Sequence, residues 1–213
     1  MDMGLPVLIL GESGSGKSAS LRNFGPGEVM IFNVAKKPLP FRSKLPSADI
    51  VQAPGYREIW EGMKSAGRKR YVIDDSQYLL CFELFNRAKE TGYGKFTDIA
   101  VQFQALIKCI VDKLPDDVIV YLLHHTETSD TGKVKAKTIG KMLDNQLTVE
   151  GLFAIVLLCT TDGTSHRFIT QSDGYTTAKS PMEMFPPETD NDLKMVDATI
   201  REYYEMDMKG EAI

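Results

Sequence analysis

"LPVLILGESGSGKS", residues 5–18, sets the architecture that the rest of the chain can adopt. Its first half is a short, continuous apolar run, which is typical of a β-strand that is buried on both faces. In its second half, Gly11, Gly16, Lys17 and Ser18 satisfy the pattern G-x-x-x-x-G-K-[ST] without a departure. A loop of this kind between a strand and a helix turns backbone N–H groups toward one point, where they can bind an anion. The alternative is a glycine-rich turn that carries a surface lysine.

The pattern predicts a site for the phosphates of ATP together with Mg²⁺. The glycines let the loop pass close to the β-phosphate, Lys17 supplies positive charge to the β- and γ-phosphates, and Ser18 offers a hydroxyl to Mg²⁺. ATP is favoured over GTP because no base-reading N-K-x-D motif follows a strand. The residues predicted to bind the nucleotide are Gly11, Glu12, Ser13, Gly14, Ser15, Gly16, Lys17, Ser18 and Ala19.

A second apolar run, "YVIDD" at residues 71–75, ends in two carboxylates. The run predicts a buried strand, and ligands gather at the carboxyl ends of such strands in open α/β sheets. Asp74 is therefore predicted to hold the water shell of Mg²⁺, and Asp75 to orient the attacking water as general base. The alternative for Asp75 is an N-cap of the helix that begins with "SQYLL", and the two roles are compatible.

Strands and helices alternate along the whole chain, which predicts an α/β fold with a mostly parallel central sheet flanked by helices, ending in a β-hairpin and a helix. Predicted strands cover residues 5–10, 29–34, 48–53, 71–75, 118–123, 152–159 and 167–172. Predicted helices cover residues 17–24, 57–66, 77–90, 97–114 and 191–204. We expect a single domain over residues 1–213 because this length suits one core better than two.

Composition limits the classes of function. The 25 Lys and Arg residues against 29 Asp and Glu give a net charge of -4, so any contact with nucleic acid must be local. Cys81, Cys109 and Cys159 are widely spaced within apolar runs, which favours buried thiols in a reducing cytosol over disulfides or a zinc site. No apolar run approaches the roughly 20 residues of a membrane helix. We expect a soluble cytoplasmic protein without membrane contact.

The chain resembles a known family at four places. The segments are "GESGSGKSASLRNF" at 11–24, "NVAKKPLPFR" at 33–42, "YVIDDSQYLL" at 71–80 and "HTETSDTGKVKAKTIGKMLDNQLTVEGLF" at 125–153. Along the chain, a strand with the phosphate-loop pattern, a strand that ends in carboxylates and a further strand that ends in polar residues follow one another. This order resembles that of the RecA-like branch of P-loop ATPases. More closely, the segments are similar to nucleotide-binding proteins of tailed phages that are grouped with RecA-core single-strand annealing ATPases. The likeness extends from Gly4 to about Tyr204.

The resemblance implies a RecA-like P-loop NTPase core that handles single-stranded DNA in phage recombination or replication, in the host cytoplasm. It implies a single-strand-binding protein as a partner and a homo-oligomer. RecA-type sites are completed by a basic residue from a neighbouring subunit, and the candidates here are Arg167 and Lys179. RecA-like proteins also carry a catalytic glutamate after the second strand, where this chain has Asn33. That departure assigns the base role to Asp75 and indicates weak or DNA-stimulated hydrolysis.

Two loops face DNA in RecA-like folds, and the resemblance locates them at residues 88–96 and 126–141. The first combines lysines with Tyr93 and Phe96, a mixture of charge and stacking surface that suits single strands. In the second, lysines alternate with other residues, so an extended arm points them to one side. The alternatives are aromatic side chains folded back on the core and a solvated hairpin. The predicted DNA contacts are Lys89, Lys95, Lys133, Lys135 and Lys137.

His124 and His125 end the strand that the resemblance places beside the γ-phosphate, where RecA-like proteins keep a polar sensor residue. Neighbours on a strand face opposite sides, so we expect one histidine in the core and one at the site. The one at the site is predicted to report the nucleotide state to the loop that follows.

The predicted function is therefore a Mg²⁺-dependent ATPase that acts on single-stranded DNA. One alternative is a nucleotide-gated adaptor with little hydrolysis, which Asn33 permits. Another is a P-loop kinase for a small metabolite, which usually has an arginine-rich lid. The only comparable cluster, Arg68 to Arg70, precedes the strand at 71–75.

Overall fold

The computed structural model describes residues 3–139 and 148–206, in which nine strands form one mixed sheet covered by helices on both faces. The strands are β1 (Leu5–Gly11), β2 (Met30–Asn33), β3 (Ile50–Gln52), β4 (Arg70–Asp74), β5 (Ile119–Thr128), β6 (Val134–Ala136), β7 (Ile155–Thr161), β8 (His166–Ile169) and β9 (Glu188–Asp190). The α-helices are α1 (Tyr56–Ser65), α2 (Gln77–Asn86), α3 (Gly94–Lys113) and α4 (Leu193–Tyr203). Short 3-10 helices cover Ser18–Asn23, Ser47–Asp49 and Val149–Leu152.

The strand order explains how distant parts of the sequence meet. Along the sheet the order is β3-β2-β4-β5-β1-β7-β8-β9, and the first six of these strands are parallel. β8 and β9 add antiparallel pairs at one edge, and β6 folds back on the end of β5. β5 lies between β1 and β4, and all three strands run parallel. The loops that follow them therefore share one edge of the sheet. The predicted α/β fold with its mostly parallel sheet, late hairpin and C-terminal helix is confirmed.

β1 is the centre of two apolar layers. All seven of its residues are buried, and their side chains alternate between the faces of the sheet. Leu8 and Leu10 belong to a core with α1, α2 and α3, whereas Val7 and Ile9 belong to a core with α4 and the 3-10 helix after the glycine-rich loop. A strand covered on both faces has no place for a polar side chain, which is why the run at 5–10 is continuously apolar.

Several boundaries differ from the prediction. The helix after the glycine-rich loop is of the 3-10 type, and the predicted cap of α3 at Thr97 is wrong, since α3 begins at Gly94. The strand predicted at 118–123 extends to Thr128 because its last residues pair with β6. β6 and β9 have three residues each, too few for a period of two to be recognised in the sequence.

A buried ionic cluster fixes α4 to the sheet. Asp197 of α4 is 1% exposed. It accepts hydrogen bonds from Arg70 (2.5 Å), Arg201 (2.9 Å) and the hydroxyl of Tyr121 (2.9 Å). A buried carboxylate is tolerated only when cations and donors surround it in this way. The cluster therefore joins α4 to the starts of β4 and β5.

The contact of α1 with the sheet depends on one glycine. A Cβ atom at Gly62 would lie 2.7 Å from Cε1 and 2.9 Å from Cζ of Phe32. Phe32 is fully buried in β2, so its ring has no free space to move into. The absence of a side chain at Gly62 is what lets α1 approach the sheet.

We expect Gly62→Ala to lower the free energy of unfolding by about 1–3 kcal/mol, because overpacking against Phe32 outweighs the helix propensity of alanine, about 1 kcal/mol. The matched control is Gly94→Ala at the start of α3, where the added Cβ meets no atom of the described residues within 4 Å. Urea denaturation of both variants measures the difference. A gain in stability for Gly62→Ala equal to that of the control would contradict the close contact.

Candidate functional site

The glycine-rich loop forms a closed turn at the end of β1. Gly14 (φ 82°) and Gly16 (φ 103°) occupy the left-handed region that favours glycine. The Lys17 ammonium lies across the loop and donates hydrogen bonds to the carbonyls of Gly11 (2.7 Å) and Glu12 (2.8 Å). Burial lowers the pKa of Lys17 from its usual value. The loop therefore holds a desolvated cation at its centre, where a phosphate can replace the two carbonyls as its partner.

The loop is supported by residues that the sequence did not reveal. The carbonyl of Ser15 accepts hydrogen bonds from the thiol of Cys159 on β7 (2.9 Å) and from Nδ1 of His166 on β8 (2.8 Å). Asn191 donates in turn to the Cys159 sulfur (3.1 Å). Burial raises the pKa of Cys159 to about 11, so the group remains a thiol that can donate. The hairpin of β7 and β8 thus fixes the shape of the loop.

Ser18 and Asp74 meet as predicted for a magnesium site. The Ser18 hydroxyl donates to Oδ1 of Asp74 across 2.8 Å, although 56 residues separate the two in sequence. Burial, followed by the nearby charge of Asp75, raises the pKa of Asp74 to about 6. A hydroxyl and a carboxylate are oxygen ligands of the type that Mg²⁺ takes together with nucleotide phosphates. The residues present therefore fit this cation.

Asp75 is held by the side chains of Lys37 and His125. Its Oδ2 lies 2.5 Å from Nζ of Lys37, and its Oδ1 accepts a hydrogen bond from Nε2 of His125 (3.1 Å). Burial alone would raise its pKa, but the bonds from His125 and Lys37 outweigh burial, and the pKa falls below its usual value. The N-cap alternative is wrong, because the cap residue of α2 is Ser76 and no described side chain caps that helix. Asp75 is an ionised group directed into the site.

Asn33, which replaces the expected glutamate, has a structural role. Its amide donates to the carbonyl of Lys37 (2.6 Å) and accepts from the Lys37 backbone N–H (3.2 Å). Asn33 also lies opposite Asp74 in the pairing of β2 with β4. The turn at 33–37 is thereby fixed beside the carboxylates, which brings Lys37 to Asp75. The sequence showed the two lysines of "KKP" but gave no sign that one would enter the site.

The two histidines separate as expected. His125 lines the site, whereas His124 is fully buried behind it against Phe103. His124 donates from Nε2 to the carbonyl of Lys137 (2.9 Å), and its Nδ1 lies 2.9 Å from the hydroxyl of Ser76. Burial lowers the pKa of His124 to about 4, so the ring is neutral near pH 7. His124 therefore connects the residue before α2 to the end of the β6 arm.

These groups surround a cavity of about 410 Å³ at the carboxyl edge of the sheet. Its lining consists of Ser13, Gly14, Gly16, Lys17, Ser18, Ala19, Lys37, Pro38, Pro40, Asp74, Asp75, His125 and His166. An adjoining polar cavity of about 430 Å³ shares Ser13, Lys37 and His125 with the first and is also lined by Tyr78 and Lys137. One of the predicted DNA lysines, Lys137, therefore lies next to the cavity that the glycine-rich loop and the two carboxylates line.

The arm at β6 carries its lysines on one side. Lys133 is exposed at the tip of the turn, Lys137 is exposed beside the second cavity, and Lys135 forms an ion pair with Glu127 on β5 (3.0 Å). The residues between them, Val134 and Ala136, face the core. The predicted alternation is confirmed, and Glu127 offsets the charge of Lys135. Residues 140 and 141 of this predicted loop lie outside the described residues.

The loop between α2 and α3 presents a mixed surface. Tyr93 is 76% exposed and does not fold back on the core. Lys89 is exposed, but Lys95 donates to the carbonyl of Glu90 (2.8 Å) and lies 5.6 Å from the ring centroid of Phe96. Lys89 is therefore exposed, whereas Lys95 and Phe96, predicted in this loop, lie in the first turn of α3 and are only partly exposed.

The two candidates for an intersubunit basic residue lie on β8 and beside β7, on the side of β1 away from β5. Arg167 on β8 is exposed and pairs with Glu188 on β9 (3.3 Å). The Lys179 backbone pairs with that of Val156 on β7. Among the residues that the structure describes, neither of these two contributes to the lining of this chain's own cavity.

Across residues 3–139 and 148–206, no group of three or more His, Cys, Asp or Glu side chains is placed to hold a metal ion. In the same part of the chain, none of the helices has both the length and the apolar character needed to cross a bilayer.

The burial of His124 predicts a pH dependence of stability. Above about pH 6.5 the ring is neutral in both the folded and the unfolded chain, so its contribution to stability is fully present. As the pH falls toward 4, the unfolded chain binds a proton that the folded chain does not, and stability is lost. Between pH 7.5 and pH 5 we expect a loss of about 2 kcal/mol from this residue, measured by urea denaturation. His124→Gln should lose less over the same interval, and an equal loss in both proteins would refute this assignment.

Comparisons with known proteins leave the function to be argued from the site. Neither a family model nor a curated protein matches the chain.

Proposed function

We propose that the protein is a Mg²⁺-dependent ATPase with a RecA-like core that acts on single-stranded DNA in phage recombination or replication. The observation that supports this most directly is the meeting of Lys17, Ser18 and Asp74 at one edge of the sheet, with Asp75 beside them. β5 pairs directly with β1, and the resemblance expects the strand that ends in His124 and His125 beside the phosphate loop.

Each residue has a distinct task in the proposed reaction. The loop N–H groups and Lys17 bind the β- and γ-phosphate oxygens, and Ser18 and Asp74 hold Mg²⁺, which neutralises phosphate charge when bound. Asp75 accepts a hydrogen bond from the attacking water and orients it toward the γ-phosphate. His125 fixes the orientation of Asp75 through the bond to Oδ1.

Slow basal hydrolysis fits the surroundings of Asp75. Its Oδ2 is engaged by Lys37 and its Oδ1 by His125, so both oxygens of the carboxylate already have side-chain partners that compete with water. The same observation favours the second candidate function, a nucleotide-gated adaptor with little hydrolysis. A small-molecule kinase receives no support from the basic cluster at 68–70. Its members bind core and surface carboxylates: Arg68 pairs with Asp49, Lys69 with Asp117 and Arg70 with Asp197.

The proposed DNA surface consists of the β6 arm and the loop between α2 and α3. Exposed lysines on the arm and the exposed ring of Tyr93 supply phosphate contacts and a stacking platform. The Lys137 backbone is bonded to the side chain of His124 and to the carbonyl of His125 (2.9 Å each). Movement of the arm on DNA is therefore transmitted to the residue that holds Asp75. A single-strand-binding protein and further copies of this chain are the proposed protein partners.

Lys17→Ala should reduce ATP hydrolysis by about 100-fold or more, because the phosphates lose the buried cation at the centre of the loop. Phosphate release and ATP affinity, both measured with Mg²⁺, test this. Lys44→Ala, a change of the same charge at an exposed position, serves as control and should behave as the wild type. Turnover by Lys17→Ala equal to that of the control would exclude an ATPase centred on this loop.

Replacing Lys133 and Lys137 together with alanine should weaken binding to a fluorescent oligothymidine and flatten its salt dependence. Because the variant cannot neutralise two of the phosphates, the slope of log K against log salt should fall by about 1.4. Lys135 is kept because its ion pair with Glu127 supports the arm. The control is Lys113→Ala, an exposed lysine at the end of α3. An unchanged affinity and slope would remove the arm from the DNA surface.

A further inference from the structure

We infer that Lys37 is a catalytic residue supplied by the same chain. When ATP enters the cavity, the Lys37 ammonium moves away from Asp75 and binds the γ-phosphate. The inference rests on the proposed ATPase function. It assigns to this chain a positive charge that the sequence led us to expect from a neighbouring subunit.

Lys37 has the right place for such a contact. Its side chain lines the same cavity as Lys17, Ser18 and Asp74, and its Nζ lies 2.5 Å from Oδ2 of Asp75. Asp75 is the group proposed to orient water toward the γ-phosphate. A cation in contact with that carboxylate is therefore already close to where the γ-phosphate oxygens arrive.

The backbone of Lys37 is fixed, whereas its side chain is free to move. Both polar atoms of the Asn33 amide bind the Lys37 backbone, and Pro38 follows at once in sequence. The Lys37 side chain is nevertheless 57% exposed, in contrast to the 4% of the Asp75 side chain. A lysine on a flexible four-carbon stem can turn its ammonium between two nearby anions without any shift of the main chain.

The charge of the nucleotide decides which anion Lys37 binds. A γ-phosphate brings more negative charge into the cavity than the single charge of Asp75, so it draws the ammonium away from the carboxylate. Oδ2 of Asp75 is then open to accept a hydrogen bond from water, while His125 still holds Oδ1. ADP has no γ-phosphate, so Lys37 remains on Asp75 in the product state. The exchange thus couples exposure of the base to the presence of ATP.

The test compares Lys37→Met, which keeps the length of the side chain and removes its charge, with Lys37→Arg and with Lys44→Met as the surface control. Calorimetry with Mg²⁺ gives the affinities for ADP and for a non-hydrolysable ATP analogue, and phosphate release gives turnover at saturating ATP. For Lys37→Met we expect ADP affinity within about twofold of the wild type, analogue affinity about tenfold weaker and turnover about 100-fold lower. Lys37→Arg should recover most of the analogue affinity.

Mixing distinguishes a contribution within the chain from one between subunits. Lys17→Ala subunits retain Lys37, so they would restore turnover to Lys37→Met subunits only if Lys37 acted on a neighbour's nucleotide. We expect no recovery, and recovery would overturn the inference.

Two other outcomes would also overturn it. Equal weakening of ADP and analogue by Lys37→Met would mean a general structural role, and faster turnover would mean that Lys37 only blocks Asp75. If the wild type bound neither nucleotide, the proposed function itself would fail. If instead the wild type and Lys37→Met bound and hydrolysed ATP equally well, only the inference about Lys37 would fail.

Discussion

The hydrogen bond between Ser18 and Asp74 is the contact on which the site depends. It joins the loop after β1 to the end of β4 across the inserted strand β5. That distance is bridged only because parallel pairing brings the carboxyl ends of all three strands to one edge. The burial of β1 on both faces fixes the strand, and the strand in turn fixes where the loop begins. The packing of the core and the geometry of the loop are therefore two consequences of one short segment.

Charge is balanced within the site by contacts that a ligand can exchange. Lys17 binds two carbonyls of its own loop, and Lys37 binds Asp75. Each cation is thus satisfied by a partner that a phosphate oxygen can replace, so binding does not begin from an unpaired buried charge. The neutral ring of His124 lies behind these groups and adds no competing positive charge. This arrangement keeps a densely charged cavity compatible with a stable fold.

The sequence predicted the parts of the site that depend on local pattern. One apolar run ends in a glycine-rich loop, and another ends in Asp74. Each run identifies a strand and the polar groups that follow it. Contacts made through the late hairpin were not predictable, because nothing near Cys159 or His166 in sequence indicates which loop they support. Lys37 was missed for a related reason, since its position follows from the amide of Asn33 and not from any motif. The starts of short strands were missed because backbone pairing, rather than side-chain periodicity, sets them.

The buried cluster around Asp197 has a consequence for how the chain folds during synthesis. Arg70 and Tyr121 leave the ribosome well before the carboxylate that they bind. Until α4 follows, Arg70 and Tyr121 lack this acceptor, and part of the apolar layer on this face lacks its cover. α4 follows every strand of the sheet in sequence, so it completes this face after the strands have been synthesised and brings the ion pairs and the apolar cover together. Chaperones that bind exposed apolar strands have their opportunity in that interval.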